Sequence, residues 1–243
     1  MKFLRIPIRI IQVIVIFLCT AIAAILGITL MLLTRNGSWV HKVTGYYFWA
    51  PIVCGVCGVR VKLHHGDRLK EEDVAIYVAN HSSLFDIVAI ARTIPIGLFF
   101  VAKKELARLP FMGQYMWLIG HIFVDRKNRD QAMKSMKRAA EIIKGGRNVI
   151  SFPEGTRSKS GDIGLFKRGS FLIAKEGGID IVPIGIVGAR EVLASGSFDL
   201  NPGTIHVIIG ERITASQAQD LSTEELAELA RKSVVSLTEK VPS

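Results

Sequence analysis

The chain has 243 residues, 49% of them hydrophobic and 21% charged, which suits one α/β domain with an appendage rather than several domains. A formal charge of +10 asks for an anionic partner, whether nucleic acid, anionic lipid or a phosphorylated substrate. Three cysteines exclude a disulfide framework, and Cys54 and Cys57 form a C-x-x-C with no second pair, so neither zinc nor redox chemistry is expected and a reducing, cytosolic setting fits the main domain.

From Ile10 to Thr34 the chain carries no charge, long enough to cross a hydrocarbon core. Lys2, Arg5 and Arg9 precede this run and predict a cytoplasmic N-terminus. Ala21-Ile22-Ala23 mimics a signal-peptidase site, but the apolar run continues past it. A second uncharged stretch, Val43 to Val59, holds the aromatic cluster Tyr46, Tyr47, Phe48 and Trp49 and also Pro51, and it is short for a span. The expectation is a membrane-embedded pair of helices over residues 1–58 that enters the bilayer and returns, or lies in one leaflet. The domain over 59–243 then faces the cytoplasm, as it would at a bacterial inner membrane.

Within that domain Val59 to His65 alternates and reads as a strand, its two terminal histidines belonging to a solvated turn rather than a metal site. Val74 to Ala79 is a β-branched inner strand that stops at Asn80, and Ser82 or Ser83 caps a helix whose inner face carries Leu84, Ile87, Val88 and Ala91. Strands follow at Ile96 to Ala102, Ile122 to Asp125, Asn148 to Phe152, Ile181 to Val187 and Thr204 to Ile209. Helices alternate with them: Glu105 to Leu118, broken by Pro110 and Gly113; the amphipathic Arg129 to Lys144; one ending at Glu176; and Thr223 to Lys240. Phe111, Met112, Tyr115, Met116 and Trp117 form core or line a channel for a greasy substrate. The fold class is therefore α/β, a largely parallel sheet covered by helices on both faces.

In such a sheet the strands' carboxyl ends converge on one edge, where ligands bind. Three strands end there in polar groups: His81 with Asp86, then Asp125-Arg126, then Glu154-Gly155-Thr156-Arg157. Asp86, in the first helical turn, can fold back onto one imidazole nitrogen and leave the other as a base. Arginine's planar fork suits a phosphate monoester, and Gly155-Thr156 adds N–H and hydroxyl donors. Glu154, an anion, orients Arg157 or contacts a substrate hydroxyl.

These blocks carry a resemblance. Asn80-His81-Ser82-Ser83-Leu84-Phe85-Asp86 matches an H-x-x-x-x-D block, Phe123-Val124-Asp125-Arg126 a second, Phe152-Pro153-Glu154-Gly155-Thr156-Arg157-Ser158 a third and Val182-Pro183-Ile184 a fourth. In this order, over roughly Val59 to Gly210, the chain resembles the glycerolipid acyltransferases, and among them those acting on 1-acyl-sn-glycerol-3-phosphate. The resemblance implies that His81 is the catalytic base with Asp86 as its partner. It also implies that Lys103, Lys104, Arg126, Glu154, Gly155, Thr156 and Arg157 hold the acceptor phosphate, and that Val182, Pro183 and Ile184 shape the acyl-donor side. It implies no cofactor and no metal. The partners would be a phospholipid bilayer, lysophosphatidic acid, and acyl-CoA or acyl carrier protein as donor.

The expected chemistry is direct transfer: His81 deprotonates the sn-2 hydroxyl as it attacks a fatty acyl thioester, giving phosphatidic acid. No G-x-S-x-G elbow occurs, and Ser82 or Ser83 as nucleophile is the covalent alternative. Another lysolipid, such as a lyso-ornithine lipid, is the rival acceptor, and a non-enzymatic anionic-lipid binder is the reading from a different class. Nucleic acid is disfavoured, because the basic residues lie beside apolar membrane elements with no binding motif.

Overall fold

The computed structural model describes residues 2–69, 74–125 and 129–241. Among them seven strands form one sheet in the order β1-β7-β6-β2-β5-β3-β4, with β1 (Val59–His64), β2 (Ala75–Ala79), β3 (Leu98–Lys103), β4 (Ile122–Val124), β5 (Asn148–Ser151), β6 (Asp180–Val187) and β7 (Gly203–Ile209). Strands β2 to β6 are mutually parallel; β1 and β7 run together in the opposite sense, β7 pairing antiparallel with β6. The sheet is thus largely parallel, as the alternating elements require, and is extended by a reversed pair at one edge. The exposed alternate residues of the outermost β1, Arg60 and Lys62, discourage edge-to-edge pairing.

Alternation along each inner strand splits the core into two layers. Tyr77, Ala79, Ile150, Phe152, Val182 and Ile184 meet Phe85, Val88 and Ile90 of α4 (Phe85–Thr93) on one face. Ile76, Val78, Val149 and Ile181 meet the second layer. That layer comes from α6 (Arg129–Lys144), α7 (Gly169–Gly177) and α10 (Thr223–Glu239) through Ala139, Ile143, Phe171, Ala174, Leu226 and Ala230. Two short helices, α8 (Ala189–Val192) and α9 (Ala215–Gln219), complete the covering, one in each layer. Burying each such Ile or Phe stabilises by about 1.5 to 3 kcal/mol, so β2, buried at all five positions, is the centre of both layers. The β2-to-β3 connection leaves towards one sheet edge and the β5-to-β6 connection towards the other. The carboxyl ends of the neighbours β2 and β5 therefore flank the crevice where this architecture binds ligands.

At the N-terminus, α1 (Lys2–Thr34) is the one helix among the described residues long and apolar enough to cross a membrane. Arg35, in the left-handed region at φ 53°, turns the chain back. α2 (Gly37–His41), a π-helical stretch (Lys42–Trp49) and α3 (Ala50–Cys57) follow without a break. They run antiparallel to α1, with Trp49 Nε1 donating to Thr20 Oγ1 at 2.9 Å and Gln12 Nε2 to the Val56 carbonyl at 2.9 Å. The second uncharged stretch differs from the expected bilayer helix. Ala50, Val53, Cys54 and Cys57 are buried in the same apolar layer as Tyr77 and Ile184, because α3 packs on β1 and α4. Those residues are used by the domain itself, whereas Tyr47 stays 64% exposed.

The broken helical pattern before Leu118 resolves into a 3-10 turn (Lys104–Arg108) and α5 (Met112–Ile119), hinged at Phe111, whose φ is 61°. Its apolar residues divide. Tyr115 is buried against α1, its hydroxyl 2.6 Å from Thr44 Oγ1, whereas Phe111 and Trp117 are exposed.

Asn80 does more than stop β2. Its amide reaches the backbone of Ile186, the Nδ2 donating to the carbonyl and the Oδ1 accepting from the N–H, each at 2.8 Å. Strand pairing between β2 and β6 ends at Ala79 and Ile184, so this buried side chain continues the ladder where the backbone of β2 turns away. Asn80→Ala leaves both Ile186 groups unpaired and is expected to lower stability by about 2 kcal/mol or more. Urea denaturation of the detergent-solubilised protein measures this, with Asn80→Asp, which keeps only an acceptor, falling in between.

Candidate active site

His81 follows β2, and its imidazole is held by its own loop. Asp86, completely buried in the first turn of α4, folds back so that Oδ2 accepts from His81 Nδ1 at 2.7 Å and from the N–H groups of Ser82 and Ser83 at 2.7 and 2.8 Å. The helix N-terminus favours the carboxylate at that place. With Nδ1–H committed to a carboxylate, the lone pair of the imidazole is on Nε2. The ring is stacked on Phe152 at 4.1 Å between centroids and 16° between planes, which fixes its tilt. The cap differs from expectation: Leu84 is the N-cap residue. Ser83 instead accepts the Phe85 N–H on Oγ and donates to the Leu193 carbonyl, so its hydroxyl is engaged in structure. That weakens the reading of Ser83 as a nucleophile.

The turn after β5 grips the backbone of the same histidine. Glu154 Oε1 accepts the His81 N–H at 2.7 Å, and Ser158 N–H donates to the His81 carbonyl at 2.8 Å. Glu154 Oε2 takes the Gly164 N–H at 3.1 Å. Burial pushes the Glu154 carboxyl above its ordinary range, and the two N–H donors pull it part of the way back. The carboxylate therefore positions His81, and among the described residues it makes no bond to Arg157, one of its expected partners.

His81, Asp86, Glu154, Gly155, Thr156 and Arg157 are brought together by these bonds. Arg157 is half-buried and has no ion-pair or hydrogen-bond partner among the described residues. Lys103 ends β3 and Lys104 follows it, on the same sheet edge, each beside an acid: Lys103 Nζ is 3.7 Å from Glu105, and Lys104 is paired with Asp125. Arg126 lies outside the described residues. Val182, Pro183 and Ile184 are buried in mid-strand opposite Tyr77, Val78 and Ala79, so they support the strand that carries His81 rather than line a cleft. The Pro183 carbonyl accepts from Gly210 N–H on the side where β7 has not yet joined β6, so the missing proline N–H breaks no ladder. Two contributors were missed from sequence, the ring of Phe152 and the backbone grip of Glu154. The signal for both was present in the strand running directly into Phe152-Pro153-Glu154.

A histidine with Nδ1 held by a buried carboxylate, on a loop bonded to the turn that carries Arg157, can take a proton from a hydroxyl at Nε2. The family model described as Acyltransferase matches residues 60–187. A chloroplastic 1-acyl-sn-glycerol-3-phosphate acyltransferase of Arabidopsis thaliana is 35% identical over 173 residues, 70% of this chain and 48% of that one. The chain thus spans about half the length of that plant relative. A 1-acyl-sn-glycerol-3-phosphate acyltransferase of Salmonella typhimurium is 30% identical over 71% of this chain and 69% of its own. The crystal structure of a 1-acyl-sn-glycerophosphate acyltransferase of Thermotoga maritima has the same fold, with a TM-score of 0.81 over 100% of both chains at 22% identity. On the family model and the Salmonella relative, the chain belongs to the acyltransferase family that contains the 1-acyl-sn-glycerol-3-phosphate acyltransferases.

Proposed function

We propose that the protein transfers a fatty acyl group from an acyl thioester, carried by coenzyme A or acyl carrier protein, to the sn-2 hydroxyl of 1-acyl-glycerol-3-phosphate, forming phosphatidic acid. The observation that carries this reading is the His81–Asp86 pair, fixed at 2.7 Å on a sheet edge that also presents Arg157 without a protein partner among the described residues. His81 Nε2 takes the hydroxyl proton as the oxygen attacks the thioester carbonyl; the tetrahedral intermediate collapses, and the same nitrogen returns the proton to the departing thiolate. Asp86 holds the tautomer and stabilises the transient imidazolium. Arg157, with the Thr156 hydroxyl, binds the acceptor phosphate through charge-assisted hydrogen bonds.

The lipid substrate asks for a membrane surface, and α1 supplies one. Its outward side chains Ile11, Val13, Phe17 and Leu18 are between 53% and 68% exposed, and the helix is tied to the domain near both ends. Arg9 is paired with Asp199 at 2.5 Å, and at the far end Gly27 lets the helix approach Tyr115. A helix fastened in this way lies along the domain instead of leaving it, which favours attachment in the plane of the leaflet, with the domain on the cytoplasmic side where acyl thioesters are made.

Three outcomes are expected. His81→Ala lowers kcat/KM by about 100- to 10,000-fold in a protein whose melting is unchanged, and Asp86→Asn is also severely impaired; product analysis with lysophosphatidic acid and an acyl thioester measures both. Near-normal turnover in folded His81→Ala would remove the general base. Arg157→Ala raises KM for lysophosphatidic acid by about tenfold or more, and Arg157→Lys recovers only part, since a point charge does not replace the fork. Finally, Ile14→Glu with Phe17→Glu shifts the protein from the vesicle-bound to the free fraction in flotation, because each charge on the outer face of α1 opposes insertion.

A further inference from the structure

Between Ser158 and Arg168 the chain leaves the turn after β5 and returns to it. Two backbone bonds mark the return: Gly164 N–H to Glu154 Oε2, and Lys167 N–H to the Pro153 carbonyl at 2.9 Å. Phe166, buried in the second apolar layer, anchors the returning chain next to Lys167. The Lys167 side chain then lies across Gly155. A methyl group on Gly155 would stand 2.5 Å from Lys167 Nζ, and the glycine has φ 79°, a conformation that side chains rarely take. The backbone conformation favours glycine there, and the missing side chain leaves the space that the lysine fills.

The ammonium has no anionic partner among the described residues. Arg168 is paired with Glu224, Lys104 with Asp125 and Lys103 lies near Glu105, whereas Lys167 and Arg157 make no side-chain hydrogen bond or ion pair within that set. Glu154, the acid at the start of the same turn, has both oxygens occupied by backbone N–H groups. Lys167 Nζ lies against Gly155, and Arg157 stands two residues further along the same turn, so the turn carries two cations that an anion bound there would neutralise. The turn is one residue from Glu154, whose other contact is His81 itself, so an anion bound there is held beside the base.

We infer that Lys167 is a second cationic ligand of the acceptor's phosphomonoester, closing over Gly155 alongside Thr156 and Arg157. This rests on the acceptor proposed above. A dianionic monoester gains from two cationic ligands, while a phosphodiester with one charge gains less, so Lys167 also biases the choice of acceptor.

The test pairs kinetics with direct binding. In the full chain, Lys167→Met is expected to raise KM for lysophosphatidic acid about 10- to 100-fold, leave kcat within about threefold and leave KM for the acyl thioester unchanged. Lys167→Arg restores part of the loss. Calorimetry with glycerol 3-phosphate, which has the phosphate but no acyl chain, should show the same weakening. An unchanged KM in folded Lys167→Met overturns the inference, as does an equal rise in KM for the thioester, which would put the ammonium on the donor. If Lys167→Met does not fold, Lys167→Gln supplies the same comparison. The two readings fail separately: an unsubstituted protein that leaves lysophosphatidic acid unacylated yet binds glycerol 3-phosphate through Lys167 sinks only the proposed substrate.

Discussion

The backbone of His81 is bonded on both sides to the turn after the neighbouring strand: its N–H to Glu154 and its carbonyl from Ser158, at 2.7 and 2.8 Å. Its ring is bonded to Asp86 and stacked on Phe152. One residue is therefore fixed by two loops from the adjacent strands β2 and β5, and the spacing of those hydrogen-bonded strands becomes the separation between the imidazole and the Gly155–Arg157 turn. In the proposed reaction, positioning of this kind would contribute to rate because little ordering is left for the moment of reaction. The two apolar layers around β2 and β5 keep both loops in place.

The fold was legible in sequence wherever a run was buried on both faces. Ala75–Ala79 and Asn148–Ser151 are wholly buried, and their β-branched, uncharged runs were unambiguous. The reversed sense of β1 and β7 was not, because strand direction leaves no mark on composition; it follows from connection length and from what each strand pairs with. The second uncharged stretch is ambiguous for a related reason. An apolar helix facing lipid and one facing a protein core have the same sequence character, and Cys54 and Cys57 turned out to face the core.

At the site, the type of residue was readable and its partner was not. The H-x-x-x-x-D spacing placed Asp86 where it could fold back, and it does. The cap falls one residue later than expected, at Leu84, yet Ser83 still accepts the N–H of Phe85 at the helix start, while Asp86 takes the N–H groups of both serines. Asn80, read as a strand breaker, turned out to extend the ladder to Ile186 through its side chain.

Glu154 shows what this arrangement costs. A carboxyl whose pKa is raised by burial is held less favourably as an anion in the folded chain than in the unfolded one, so its ionisation subtracts from stability. That cost is present above its folded-state pKa and is relieved as the pH falls through it, the reverse of an ordinary ion-paired acid. Nearby Asp86 adds to the raising, since two carboxylates repel across a half-buried site. A glutamate retained for stability would sit in an ion pair. This one faces two backbone N–H groups, from His81 and from Gly164, so it ties the loop after β2 to the turn after β5 and holds the His81 backbone in place. Arg157, three residues on, has no ion-pair partner among the described residues, so the turn carries a buried negative charge bonded to the His81 backbone and a positive charge that no described acid neutralises.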